Sequence, residues 1–115
     1  MSIFNNPNDS EIDQFLHKFK MKMSQGEYTL VNRRKNTNFL REKGISILSM
    51  EETILNLTTS NYCKGPEPDR NHIGDFIWVF CSNFEDFQIY IKLQLRDEYG
   101  WLISFHEAEH EMGGL

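Results

Sequence analysis

The chain has 115 residues and a mass of 13.6 kDa, room for one domain whose folding buries roughly two-thirds of the surface that the unfolded chain exposes. Apolar residues make up 39%, aromatics 13% and charged residues 25%, a balance that excludes a disordered chain. No stretch reaches the roughly 18 apolar residues of a membrane span, and the opening MSIFNNPNDS has neither a basic leader nor an apolar core, so neither insertion nor export is expected.

The net charge of −5 argues against nucleic-acid binding over the whole surface. Its distribution says more. Residues 17–43 carry eight Lys or Arg against Glu27 and Glu42, whereas residues 44–115 carry four basic against twelve acidic side chains. The basic end is either a solvated face or a patch for phosphate. Cys63 and Cys81 lack CxxC spacing and read as free thiols of a reducing, cytoplasmic compartment.

In chain order, Ser10-Glu11-Ile12-Asp13 has the form of a capping box, and Ile12, Phe15, Leu16, Phe19 and Met23 follow at helical spacing, which predicts a helix over 11–24. Tyr28–Val31 reads as a short strand leading into the basic turn Asn32-Arg33-Arg34-Lys35-Asn36. Asn38 to Lys43 can form one or two helical turns stopped by Gly44. A second capping box, Ser49-Met50-Glu51-Glu52, opens a helix of eight or nine residues with Met50, Ile54 and Leu57 on one face. Residues 64–70 hold Pro66 and Pro68 and are expected to form a stiff loop.

Beyond that loop the hydrophobic period changes from 3.6 to 2, through Phe76–Phe80, Phe87–Arg96 and Trp101–His106. Helices followed by a meander predict an α+β domain, with an antiparallel sheet of three to four strands and the N-terminal helices packed on one face. One domain over 1–115 is expected, with tails at about 1–9 and 108–115.

In the strand from Phe87, the residues Phe87, Ile89, Ile91, Leu93 and Leu95 face the helices, and Gln88, Tyr90, Lys92, Gln94 and Arg96 face outward. Setting Trp101, Ile103 and Phe105 against the core, with a three-residue loop Glu98-Tyr99-Gly100, puts Lys92 opposite His106 and Tyr90 one pair away. A phenol, an ammonium and an imidazole then converge on one exposed face. Such a face can be ordinary strand polarity. The trio is also the equipment for metal-free RNA scission: a proton acceptor, cations for the phosphorane and an acid for the leaving oxygen. A non-catalytic module that docks RNA or protein on the same face is the rival reading.

The segment His106-Glu107-Ala108-Glu109-His110 formally matches HExxH. That chemistry needs both histidines on one helical face, whereas this segment continues a strand pattern, so zinc proteolysis is disfavoured. No metal or cofactor is expected.

Tyr62-Cys63-Lys64-Gly65-Pro66-Glu67-Pro68-Asp69-Arg70, Ile77-Trp78, Tyr90-Ile91-Lys92-Leu93 and Ser104-Phe105-His106 together resemble the MqsR family of type II toxin–antitoxin ribonucleases, compact relatives of the RelE-like toxins. The likeness runs over about Glu11 to Glu107. It implies a RelE-like toxin fold, an mRNA interferase leaving a 2′,3′-cyclic phosphate, and a cognate antitoxin carrying a DNA-binding helix-turn-helix domain. It also implies Lys64, Tyr90, Lys92 and His106 as catalytic residues. Here His106 stands where the family pattern has Lys, and Val79 where it has Gln after the Ile-Trp pair. The Asn32–Lys35 turn would clamp the RNA backbone through Arg33, Arg34 and Lys35, with Arg70 and Gln88 as further RNA contacts.

Overall fold

A computed structural model describes residues 7–108. The first helix, α1 (Asp9–Ser24), starts earlier than the sequence suggested because Asn8, not Ser10, is its cap. The Asn8 side chain accepts from the Glu11 amide at 2.8 Å, and the Glu11 carboxylate accepts from the Asn8 amide at 3.0 Å. This reciprocal pair satisfies two donors that a bare helix end would orphan. The stripe Ile12, Phe15, Leu16, Phe19 and Met23 is buried as its spacing requires.

After β1 (Tyr28–Leu30), helix α2 (Arg34–Lys43) begins inside the basic turn and stops at Gly44, whose φ of 68° is the left-handed conformation that ends helices. Helix α3 (Ile47–Leu55) is capped by Ser46, whose hydroxyl accepts from the Ser49 amide at 3.0 Å. Ser49, expected as the cap, therefore lies inside the first turn. A short 3-10 turn, Thr59–Asn61, leads into the strands.

Those strands are β2 (Tyr62–Pro68), β3 (Phe76–Phe84), β4 (Phe87–Arg96) and β5 (Tyr99–Glu107), in the spatial order β1-β5-β4-β3-β2. The class is α+β as expected, but the sheet has five strands and is mixed, since β1 runs parallel to β5. Tyr28, Thr29 and Leu30 pair with Gly100, Trp101 and Leu102. Gly100 allows close packing here, because a Cβ would sit 3.2 Å from both the Phe19 ring and the Tyr28 Cβ, tighter than an ordinary contact.

The second correction concerns residues 64–70, expected as an irregular loop. Most of this segment is edge strand β2, interrupted by register shifts on either side of Lys64. An edge strand tolerates Pro66 and Pro68 because half of its backbone groups face away from the ladder. Gly65 sits at φ 110°, and a Cβ on it would come within 2.7 Å of the Ile77 carbonyl, so the bulge depends on glycine.

The third correction is the β4–β5 register. The turn is Asp97-Glu98, two residues with φ of 57° and 59°, between the paired Arg96 and Tyr99. Positive φ at both central positions is the hairpin geometry that matches strand twist. This shorter turn would send every later residue of β5 to the wrong face, and a bulge repairs it. Leu93 pairs with Leu102 but Lys92 pairs with Ser104, leaving Ile103 as the extra residue. Leu102 and Phe105 are consequently in the core. Trp101 and Ile103, expected to face inward, line a groove on the opposite face.

The core lies between the sheet and the helices, with Phe19, Met50, Ile54, Phe80, Ile91 and Phe105 fully enclosed. Where β1 ends, Asn36 of α2 takes over as the edge partner of β5: it accepts from the Phe105 amide at 2.9 Å and donates to the carbonyls of Ile103 and Val31 at 3.0 Å. Among the described residues no helix is long and apolar enough to cross a membrane.

Candidate active site

The face of the sheet away from the core carries the candidate site. Pairing runs across four strands from Lys64 to Val79, from Val79 to Lys92 and from Lys92 to Ser104. The next row on the same face is Cys81, Tyr90 and His106. The pairing therefore differs from the sequence expectation: His106 faces Tyr90, and Ser104 faces Lys92. The bulge at Ile103 is the cause.

Arg33, the residue preceding α2, extends its guanidinium over this face and donates to the Ser104 hydroxyl at 2.9 Å. It thereby joins the two lysines. Burial pushes the Lys92 ammonium below the ordinary lysine range, and the positive charges of Arg33, Lys64 and Lys35 push it further, with Glu67 opposing them. Glu67 also pairs with Lys64 at 3.7 Å, both side chains remaining about half exposed. Like charges gathered in this way raise the local positive potential, which favours an anion. The N-terminus of α2 has no side-chain cap and no acidic residue in its first turn. Its field adds to the same positive potential.

Beside the cations, the rings of Tyr90 and His106 lie 5.9 Å apart, and the Lys92 ammonium stands 5.6 Å from the Tyr90 ring centre. His106 Nδ1 is 3.0 Å from the Glu107 carbonyl oxygen. A carbonyl can only accept, so in the neutral ring Nδ1 carries the proton and Nε2 holds the lone pair. Tyr90 and His106 are 6% and 9% exposed. Both are thus buried, where the sequence reading had them on an exposed surface.

The family model described as motility quorum-sensing regulator, toxin of MqsA, matches residues 13–107. The chain belongs to this toxin family. No curated protein matches it. The matched span runs from α1 to the end of β5 and includes all the residues of the cation row and the Tyr90–His106 pair.

In this member of the toxin family, Lys64, Tyr90, Lys92 and His106 share one face of the sheet. Arg33 and Lys35 act on it from the start of α2. Arg34 is exposed in the first helical turn and is not among the charges that bear on Lys92. Arg70 lies in the loop after β2, on the rim of a groove next to Lys92. Gln88 is at the other end, exposed beside a cleft lined by Cys63, Cys81 and Asn83. Val79 is fully buried between Lys64 and Lys92. Cys63 and Cys81 are free thiols, and burial, reinforced by the neighbouring Cys63, pushes the Cys81 thiol up to about 11.

The HExxH pattern meets a strand. His106 and Glu107 are successive residues of β5, so they point to opposite faces, and Glu107 approaches Lys43 at 3.8 Å. His110 lies outside the described residues, as does most of the expected C-terminal tail.

Sequence reasoning missed a polar chain beside the lysines. Arg96 donates to the Gln94 carbonyl oxygen at 2.8 Å, and Gln94 donates to Asp69 at 2.8 Å. His72 and the Asn71 amide complete the shell of the Asp69 carboxylate at 3.0 Å and 2.9 Å. Desolvation alone would raise the Asp69 pKa, but the hydrogen bonds from Gln94, Asn71 and His72 outweigh it and hold the carboxyl below the usual range. The alternation of β4 placed Gln94 and Arg96 on this face; Asp69 stands in the segment that carries the family resemblance but has no role in that reading.

Proposed function

We propose that this toxin-family chain is a metal-independent endoribonuclease that cuts mRNA in the cytoplasm and is restrained by a cognate antitoxin with a helix-turn-helix DNA-binding domain. The single observation that carries the reading is the cluster of Arg33, Lys35, Lys64 and Lys92 beside the Tyr90–His106 pair, with His106 Nδ1 held by the Glu107 carbonyl.

Each group has a task. Lys64, Arg33 and Lys35 hold the scissile phosphate and offset the charge that builds on its oxygens. Tyr90 orients the attacking 2′-hydroxyl, and His106 Nε2 takes its proton. The 2′-oxygen bonds to phosphorus, the bond from phosphorus to the 5′-oxygen breaks, and the products are a 2′,3′-cyclic phosphate and a free 5′-hydroxyl. Lys92, an easier proton donor than an ordinary lysine, supplies the proton for the leaving 5′-oxygen. The half-buried setting of the site strengthens these charge interactions relative to open water.

The test is incubation of the purified chain with a long, defined mRNA, with and without EDTA, followed by mapping of the new ends. Discrete, EDTA-resistant cuts bearing cyclic phosphate support the reading. RNA bound but left intact would replace it with the docking-module alternative, which the net charge of −5 favours.

A further inference from the structure

The groove flanking the cation row is built differently from the row itself. It encloses about 730 Å³ between the loop after β2 and the β4–β5 hairpin, and Arg33 and Lys92 line it as well as the cation row. That volume falls within the range of small-ligand pockets, roughly 300–1,000 Å³. Its floor is fixed. Gln94, on the outer face of β4, is fully buried, and Asp69, in the loop after β2, is 8% exposed.

The Arg96 guanidinium sits over the Trp101 ring at 4.4 Å, and Trp101 packs in turn against Tyr99 at 5.2 Å. The Tyr99 hydroxyl is tied to Thr29 at 2.8 Å, so the stack is anchored to β1. One edge of Arg96 is committed to Gln94, and the rest of the fork lines the groove. A guanidinium held over an aromatic ring can present its other face to a further planar group.

We infer that this groove is a nucleobase subsite, in which one unpaired base of the RNA, adjacent to the phosphate held by Arg33 and Lys92, stacks on the Arg96–Trp101 platform that the buried Gln94–Asp69 network holds in place. The inference rests on the ribonuclease reading and adds to it the place where sequence is read. The groove shares Arg33, Lys92 and Glu67 with the cation row and adds Arg70, Arg96 and an Asp69 carboxylate kept ionised by its hydrogen bonds. An ionised carboxylate beneath the platform disfavours a second phosphate more than the uncharged face of a base, and phosphate contacts position RNA whereas base contacts specify it.

Two measurements test the subsite. In the first, cut sites on a long mRNA are mapped for the wild type and for Arg96→Lys, which keeps the charge and removes the plane. Loss of one stacked base is expected to slow cutting at preferred sites about tenfold, and to flatten the base preference at a single position beside the cut. Equal slowing at all sites with an unchanged preference would overturn the inference, since it marks a backbone contact; so would an unaltered profile.

The second measurement does not need cleavage. Oligonucleotides with a 2′-deoxy sugar at each position in turn, varied in one base, are bound to wild type and Arg96→Lys, with Trp101→Phe added to assign the fluorescence change to Trp101. Base-dependent affinity in the wild type that disappears in Arg96→Lys, at an unchanged melting temperature, supports the subsite. Equal affinity for every base in the wild type overturns it. Absence of cleavage alongside base-dependent binding would defeat the ribonuclease reading and leave the subsite standing.

Discussion

Tyr90 and His106 face each other across β4 and β5 with ring centres 5.9 Å apart, inclined at 41°. Burial of both rings gives His106 a structural role as well as a chemical one. His106→Ala is expected to lower RNA cleavage by a factor of about 100 or more, the usual scale for a lost acid–base group. It is also expected to cost about 1–2 kcal/mol of stability through the cavity beside Tyr90. End mapping and urea denaturation of the same variant measure the two effects separately.

Asn36 replaces a strand. Its single amide serves the Phe105 N–H and the carbonyls of Ile103 and Val31, all backbone groups at the edge of β5 or the end of β1. Asn36→Ala removes the acceptor of the Phe105 N–H in a fully buried position, while the Val31 and Ile103 carbonyls keep donors from Arg33, and is expected to cost about 1–3 kcal/mol. Asn36→Asp is expected to be as damaging, because a carboxylate cannot donate to the two carbonyls. Denaturant midpoints check both variants.

The Lys92 pKa is depressed, so the folded chain holds this proton less tightly than the unfolded chain does. Protonation therefore favours unfolding, and the penalty fades as pH rises through the depressed value towards the ordinary lysine value of about 10.4. Lys92→Met should be more stable than the wild type at pH 7, with an advantage that shrinks as pH approaches 10. Paired urea titrations at the two pH values measure it; a constant difference would contradict the electrostatic account.

Asp69 has the opposite sign. Its folded pKa lies below the ordinary aspartate value of about 3.9, so its stabilisation is complete above that value and is lost as pH falls through the folded one. Asp69→Asn should be less stable than the wild type at pH 6. The gap should close on acidification below pH 4, which thermal melts across that range can follow.

On the proposed function, the cation row should set the salt dependence of RNA binding. Each phosphate contact removed should flatten the plot of log affinity against log salt by about 0.7 for single-stranded RNA. Lys64→Ala and Arg33→Ala are each expected to do this and to weaken all sequences alike. Arg34→Ala, on an exposed position away from Lys92, is expected to change the slope little. Filter binding at several salt concentrations distinguishes them.

Much of this was legible in the sequence. The apolar stripe of α1, the Gly44 stop, the alternation of β4 and the identity of the outward residues Tyr90, Lys92 and Gln94 follow from periods of 3.6 and 2, which depend only on local geometry. The free thiols Cys63 and Cys81 were also readable. The resemblance to the toxin family placed Lys64 in the same site, although the proline-bearing strand around it reads as a loop to any local rule.

What the tertiary structure alone decided is how those residues meet. Whether β4 and β5 close by two or three residues cannot be read from alternation, because a bulge at Ile103 restores the parity that the short Asp97-Glu98 turn upsets. The short turn sets Trp101 outward beneath Arg96, and the bulge then sets Tyr90 against His106. The parallel pairing of β1, and the Asn36 amide that extends it, arise from contacts across some 70 positions of chain. Local propensity fixes which face of an element is apolar; the partner it finds, and so the burial of His106 and the charge crowding at Lys92, depends on non-local packing that no window of sequence contains.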